Sequence, residues 1–148
     1  TETGKGYLFL GKSGTGKSTH TGLWLQQFSD CHLLNDDNPI VHVDSLGKQA
    51  TVFGSPWSGK TPCYRKESMT VGAFVRLEQA PQNEIEQERA AHAFATLLPS
   101  CSCLKQNKEI YNAIVTTVTE LATLAPVYHL KCLPDREATE LCRKTVEG

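Results

Sequence analysis

The sequence predicts an α/β fold, a mixed sheet with flanking helices, and three observations predict it. A short apolar strand runs into a glycine-rich loop and then into an unbroken helical segment. The next stretch, as far as residue 77, alternates strand-forming runs with turn residues. Two long alanine- and leucine-bearing segments at helical spacing follow, one with Pro99 and one with Pro126 at its end.

Taken in order, residues 1–5 are a polar lead-in and residues 6–10 a strand carrying Tyr7-Leu8-Phe9-Leu10, ended by Gly11. Residues 19–28 place Leu23, Trp24 and Phe28 on overlapping faces of a helix; Trp24 is read as core and His20 as a helix-surface residue. Leu33-Leu34 leads into the turn Asn35-Asp36-Asp37-Asn38-Pro39. A strand over 40–43, a turn at Asp44-Ser45-Leu46-Gly47 and a return over 50–53 make a hairpin. A second glycine-containing loop occupies 54–62, and 71–77 is a further strand. The two helices span 83–98 and 108–124, the latter with Ile110, Ile114, Val118 and Leu121 at helical spacing, and the charges of 84–89 read as a solvated helix face. Residues 127–133 form a last apolar strand, and Pro134-Asp135 opens a C-terminal helix carrying Leu141 and Val146.

The 148 residues are expected to form a single domain, 1–148, with room for an upstream strand or domain. Fifteen Lys and Arg against sixteen Asp and Glu give a net charge of −1, which disfavours nucleic-acid and membrane-surface partners. No apolar run approaches the ~20 residues of a membrane span and no signal-peptide layout is present, so a cytoplasmic location is expected. Six cysteines, none paired at C-x-x-C spacing, read mostly as buried thiols, with Cys101 and Cys103 packed at a helix end. The five histidines carry no metal-ligand spacing.

Gly11-Lys12-Ser13-Gly14-Thr15-Gly16-Lys17-Ser18 fits G-x-x-x-x-G-K-[ST] between the predicted strand and helix. The glycines let successive N–H groups converge on phosphate oxygens, and the helix N-terminus adds partial positive charge. Gly11, Ser13, Gly14, Thr15, Gly16, Lys17, Ser18 and Thr19 are therefore expected to hold ATP. Lys17 would reach the β- and γ-phosphates, Ser18 would ligate Mg²⁺, and Thr19 would meet the α-phosphate. Gly54-Ser55-Pro56-Trp57-Ser58-Gly59-Lys60-Thr61 matches the same pattern, but Pro56, Trp57 and Pro62 disfavour a second phosphate cradle. With Arg65 nearby, this loop either lines the active site, where Lys60 and Arg65 would meet an acceptor or developing charge, or is a hairpin end with a solvated lysine. Asp36 and Asp37 lie 19 and 20 residues beyond Lys17, far enough for the helix to return the chain beside the first strand. One would hold the metal and the other would take a proton, or the pair simply opens a turn.

The run Leu10-Gly11-Lys12-Ser13-Gly14-Thr15-Gly16-Lys17-Ser18-Thr19 followed by Leu34-Asn35-Asp36-Asp37 resembles the C-terminal catalytic domain of HPr serine kinase/phosphorylase. It also resembles the nucleotide site of ATP-dependent phosphoenolpyruvate carboxykinase, which shares that P-loop fold. The resemblance covers residues 4–80. It implies that Asp36 is the general base toward a seryl hydroxyl and that Asp37 is oriented on the metal. Thr19 stands where HPr kinase usually has glutamate, and no Glu-x-Arg-Gly-Leu-Gly run follows the aspartates. The expected activity is transfer of the γ-phosphoryl of Mg-ATP to a hydroxyl, that of a serine on a protein or peptide, with a small metabolite as the alternative acceptor. The catalytic set is Asp36, Lys17, Lys60 and Arg65, and the metal ligands are Ser18 and Asp37. A nucleotide-sensing module without turnover and a plain ATPase are the alternatives, and a homo-oligomer is left open.

Overall fold

The computed structural model describes residues 1–46, 48–57, 59, 62–63, 65–102 and 105–148. The chain is α/β: one mixed six-stranded sheet with helices on both faces. The elements are β1 (Lys5–Leu10), α1 (Lys17–Gln27), β2 (Ile40–Asp44), β3 (Gln49–Phe53), β4 (Ser68–Gln79), β5 (Glu84–Gln87), α2 (Ala90–Leu97), α3 (Lys108–Leu124), β6 (Val127–Cys132) and α4 (Arg136–Glu147), with a 3₁₀ turn at Leu98–Ser100. Among the described residues no helix is long and apolar enough to cross a membrane.

The long strand β4 organises the sheet. β3 pairs antiparallel with its first residues, while β1 and β6 run parallel to it. β2 and β5 are the antiparallel outer partners of β3 and β6. β4 is longer than its apolar run because its polar ends also pair, Ser68 with Phe53 and Gln79 with Cys132.

One extra residue in β4 changes which side its side chains face. Gly6 pairs with Val71 but Tyr7 with Ala73, so Gly72 bulges out of the ladder. A Cβ on Gly72 would sit 2.7 Å from Tyr7 Cε1, so any other residue must displace that ring. Because of the bulge, Val71 and Phe74 both face α2 and α3, packing with Ala93, Leu97, Val118, Leu121 and Val127. Val75 and Leu77 face α1 and α4, packing with Trp24, Leu130 and Cys142. Fully burying a leucine such as Leu130 contributes about 2 kcal/mol.

The single helix expected over 83–98 is instead β5 followed by α2. Ile85 is the one apolar residue of β5 and packs onto the α1/α4 layer, while Glu84 lies across from Lys131 on β6. Antiparallel pairing with β6 outweighs the helical preference of Glu-Ile-Glu-Gln. Nor is the charged stretch all solvated: the Glu88 side chain is 7% exposed and accepts from Arg76 Nη2 at 3.0 Å and from Thr96 Oγ1 at 2.6 Å. Of the cysteines, Cys63 and Cys142 are buried, Cys31 and Cys132 half-buried and Cys101 exposed, while Cys103 lies outside the described residues.

Candidate functional site

Two helices close their N-termini with a side chain. Asn107 accepts from Glu109 and Ile110 N–H at the start of α3, and Asp135 accepts from Ala138 N–H at the start of α4. α1 opens differently. Its cap position is Gly16, in the left-handed region at φ 97°, with no side-chain cap and no acidic residue in the first turn. Gly14, at φ 86°, shares that conformation, and a Cβ on either glycine would meet no atom within 4 Å. Conformation rather than crowding therefore asks for glycine here, and the first amides of α1 are left for a ligand or solvent.

The loop between β1 and α1 is tied from within. Thr15 donates its N–H (3.2 Å) and Oγ1 (2.9 Å) to Lys12 O, and Gln79 Nε2 of β4 donates to Gly14 O at 3.1 Å. Lys17 Nζ folds back to donate to Gly11 O at 2.6 Å and Lys12 O at 3.2 Å, holding an ammonium over the loop. Ser13, Ser18 and Thr19 are exposed.

His20 and Trp24 anchor α1 beneath the loop. His20 is not the helix-surface residue that the sequence suggests; it is 4% exposed. Trp24 Nε1 donates to its Nε2 at 3.0 Å, and the Phe9 ring stands edge-on at 4.9 Å. Burial pushes the His20 pKa down to about 4, so the imidazole is neutral. The sequence hides this because polar residues flank His20 and the partner that buries it, Phe9, comes from β1.

The aspartate turn is braced from one side. Asn35 Nδ2 donates to Ser55 Oγ at 3.2 Å and Trp57 O at 2.9 Å, and its Oδ1 accepts from Asn38 N–H at 2.9 Å. Ser55, buried, donates its hydroxyl to Asn38 O at 2.6 Å. Within this brace Asp37 takes φ 96°, a left-handed conformation that costs a non-glycine residue about 1 kcal/mol. Gly59 N–H donates to Asp36 O at 2.6 Å, and a Cβ on Gly59 would lie 2.9 Å from Asp36 Oδ2. Gly59 of the second glycine loop thus lies against the aspartate pair.

One cleft of about 1060 Å³ joins these parts. Ser13, Gly14, Gly16, Lys17, Ser18 and Thr19 line it together with Asp36, Asp37 and Gly59. Gly11 and Thr15 do not line it; Thr15 faces a smaller hollow beside His20 and Gln79. Arg65 is not brought to the cleft. It pairs with Glu67 at 3.5 Å, and Glu67 also meets His32 Nε2 at 2.6 Å, the contact that chiefly lowers its pKa. Lys60, with Ser58 and Thr61, lies outside the described residues. Asn35 and Gln79 are the positioning residues that the sequence reading missed. The Asx-turn run Asn35-Asp36-Asp37-Asn38-Pro39 carries a signal for the first, and nothing local marks the second.

Ser18 and Asp37 offer a hydroxyl and a carboxylate at one cleft, the hard-oxygen donors that suit Mg²⁺ beside phosphate. Among the described residues no group of three or more His, Cys, Asp or Glu side chains is placed to hold a metal ion, so any such ion here would draw its remaining ligands from elsewhere. Compared with protein-family models, with curated protein sequences and with solved structures, the chain matches none of them.

Proposed function

We propose that the chain is a phosphotransferase with a P-loop fold of the HPr kinase/phosphoenolpyruvate carboxykinase type, which binds Mg-ATP at residues 11–19 and moves the γ-phosphoryl group to a hydroxyl. The observation that carries the reading is one cleft shared by the uncapped N-terminus of α1, Lys17, Ser18 and the aspartate pair. The amides of α1 and the loop bind the triphosphate, and Lys17 exchanges the Gly11 and Lys12 carbonyls for phosphate oxygens. Ser18 and Asp37 would hold Mg²⁺, which neutralises phosphate charge when bound.

Asp36 takes the acceptor proton. The acceptor oxygen then bonds to the γ-phosphorus, the bond from that phosphorus to the β–γ bridging oxygen breaks, and ADP leaves. Both departures and arrivals occur within the cleft, where positioning supplies most of the rate.

Titration calorimetry with ATP and Mg²⁺, followed by turnover of γ-labelled ATP, tests this. Lys17→Ala is expected to weaken ATP binding at least about tenfold with the circular dichroism unchanged. Asp36→Ala should bind ATP and lose transfer. Unchanged ATP affinity in Lys17→Ala refutes the site, and binding without transfer by the unmodified chain leaves a nucleotide sensor.

A further inference from the structure

The second glycine loop carries an exposed indole on a fixed backbone. Trp57 is 63% exposed, yet its N–H donates to Ser55 Oγ at 3.3 Å and its carbonyl accepts from Asn35 Nδ2 at 2.9 Å. Ser55 is itself 4% exposed and tied to Asn38 O. Pro56, between the two, holds its own φ and restricts Ser55 to extended backbone. The indole therefore stands on a stiff support and has only its two χ angles to lose on contact.

That support sets the ring beside the aspartate turn. Gly59, two residues on, donates its N–H to Asp36 O at 2.6 Å, and a Cβ on it would lie 2.9 Å from Asp36 Oδ2. Two residues span at most ~7 Å, so Trp57 and the Asp36 carboxylate are neighbours. Asn38, exposed in the same turn, adds an amide with both donors and an acceptor. In the phosphotransfer reading the α-phosphate meets Thr19 and the γ-phosphate is transferred at Asp36. The nucleoside then leaves from the Thr19 end, and Trp57 stands on the acceptor side.

A flat, exposed indole takes a molecule with a flat apolar face, and a base beside it acts on a hydroxyl at that molecule's rim. A seryl side chain carries its hydroxyl on one methylene and has no such face. A carbohydrate ring has both, C–H groups on its face and hydroxyls round its edge, and neighbouring hydroxyls match the donors and acceptor of the Asn38 amide. We propose that the acceptor is a carbohydrate ring stacked on Trp57 with one rim hydroxyl at Asp36. This rests on the phosphotransfer reading and narrows its hydroxyl to one on a sugar. That hydroxyl gives its proton to Asp36 and its oxygen bonds to the γ-phosphorus. The bond from phosphorus to the β–γ bridging oxygen breaks, and a sugar phosphate and ADP leave.

The probes are glucose, mannose, galactose and N-acetylglucosamine, with glycerol and a seryl peptide as ringless comparators. Two readouts are followed in the unmodified chain and in Trp57→Ala: label transfer from γ-labelled ATP, and the emission of Trp57 taken as the difference between the two proteins. At least one of the sugars is expected to accept label and to shift that emission. Trp57→Ala should raise the KM for that sugar about tenfold while kcat and ATP affinity hold, and Trp57→Phe should restore most of the loss. No shift and no label with any sugar overturns the carbohydrate, and label on glycerol or the peptide then leaves phosphotransfer standing. A shift caused by ATP alone, with ATP affinity lost in Trp57→Ala, overturns it in favour of a platform for the nucleotide base. A sugar that shifts the emission and takes no label overturns the acceptor role. Failure of the unmodified chain to bind ATP refutes the phosphotransfer reading, and the sugar titration of Trp57 still decides whether a carbohydrate lies there.

Discussion

Acid should loosen the helix that carries the glycine loop, and His20 is the reason. Its imidazole is buried, accepts from Trp24 Nε1 through Nε2, and has its pKa lowered by burial to about 4. In the unfolded chain a histidine titrates near ~6.5. Between those values the unfolded state binds more protons than the folded one, so stability is full above pH ~6.5 and falls as pH falls toward 4. Linkage puts the loss at about 2 kcal/mol between pH 8 and pH 5, and about 3 kcal/mol once both states are protonated. In urea the first figure moves the midpoint by about 1 M. Urea titrations at pH 8 and pH 5, followed by Trp24 fluorescence in a Trp57→Phe background, measure it; Trp57 is 63% exposed and would otherwise blur the signal. His20→Gln keeps an acceptor for Trp24 and removes the titration, so its midpoint should shift far less over the same range. An equal shift in both proteins would refute the assignment, because other groups would then carry the acid sensitivity.

Gly72→Ala should cost about 1–3 kcal/mol, read from the same urea midpoint, because the new Cβ meets a Tyr7 ring already held against Trp24 at 5.8 Å. A shift below a few tenths of a kcal/mol would mean that the bulge relaxes. Asn35→Ala removes the ties from the aspartate turn to Ser55 and Trp57; transfer is expected to fall about tenfold with ATP affinity retained, and parallel loss of both would place Asn35 in nucleotide binding instead. Cys142 is fully buried and its thiol is pushed up to about 12, chiefly by burial, so iodoacetamide at pH 8 should leave it unmodified until urea is added, as followed by peptide mass spectrometry.

The glycine loop and its flanking strand and helix were legible in the sequence, because strand, turn and helix signals there are local and agree. The hairpin of β2 and β3 was legible for the same reason. β5 was not: with one apolar residue in four, it is a strand only because β6 offers it a ladder. His20 was misread because its burial comes from Phe9, a residue on another element. The aspartate pair stood out as chemistry, whereas the brace that orients it joins Asn35 to Ser55 and Trp57 across two loops. Arg65 has the right charge near the right loop, and in the structure it pairs with Glu67 at 3.5 Å rather than lining the cleft. Charge and spacing propose a partner, and only the third dimension chooses among several.

The end of α1 farthest from the glycine loop is fastened by α4. Arg143 donates to both oxygens of Asp30, just beyond α1, and stacks on Phe28 at 4.4 Å, while Thr139 donates to Gln27. The Arg143–Asp30 contact joins residues 113 apart in sequence. A ribosome makes the glycine loop before its fastening, and bringing the two together costs the entropy of closing the large loop between them. During synthesis the nascent chain carries the whole glycine loop on a helix that still lacks this fastening, and the helix gains it only when α4 has emerged.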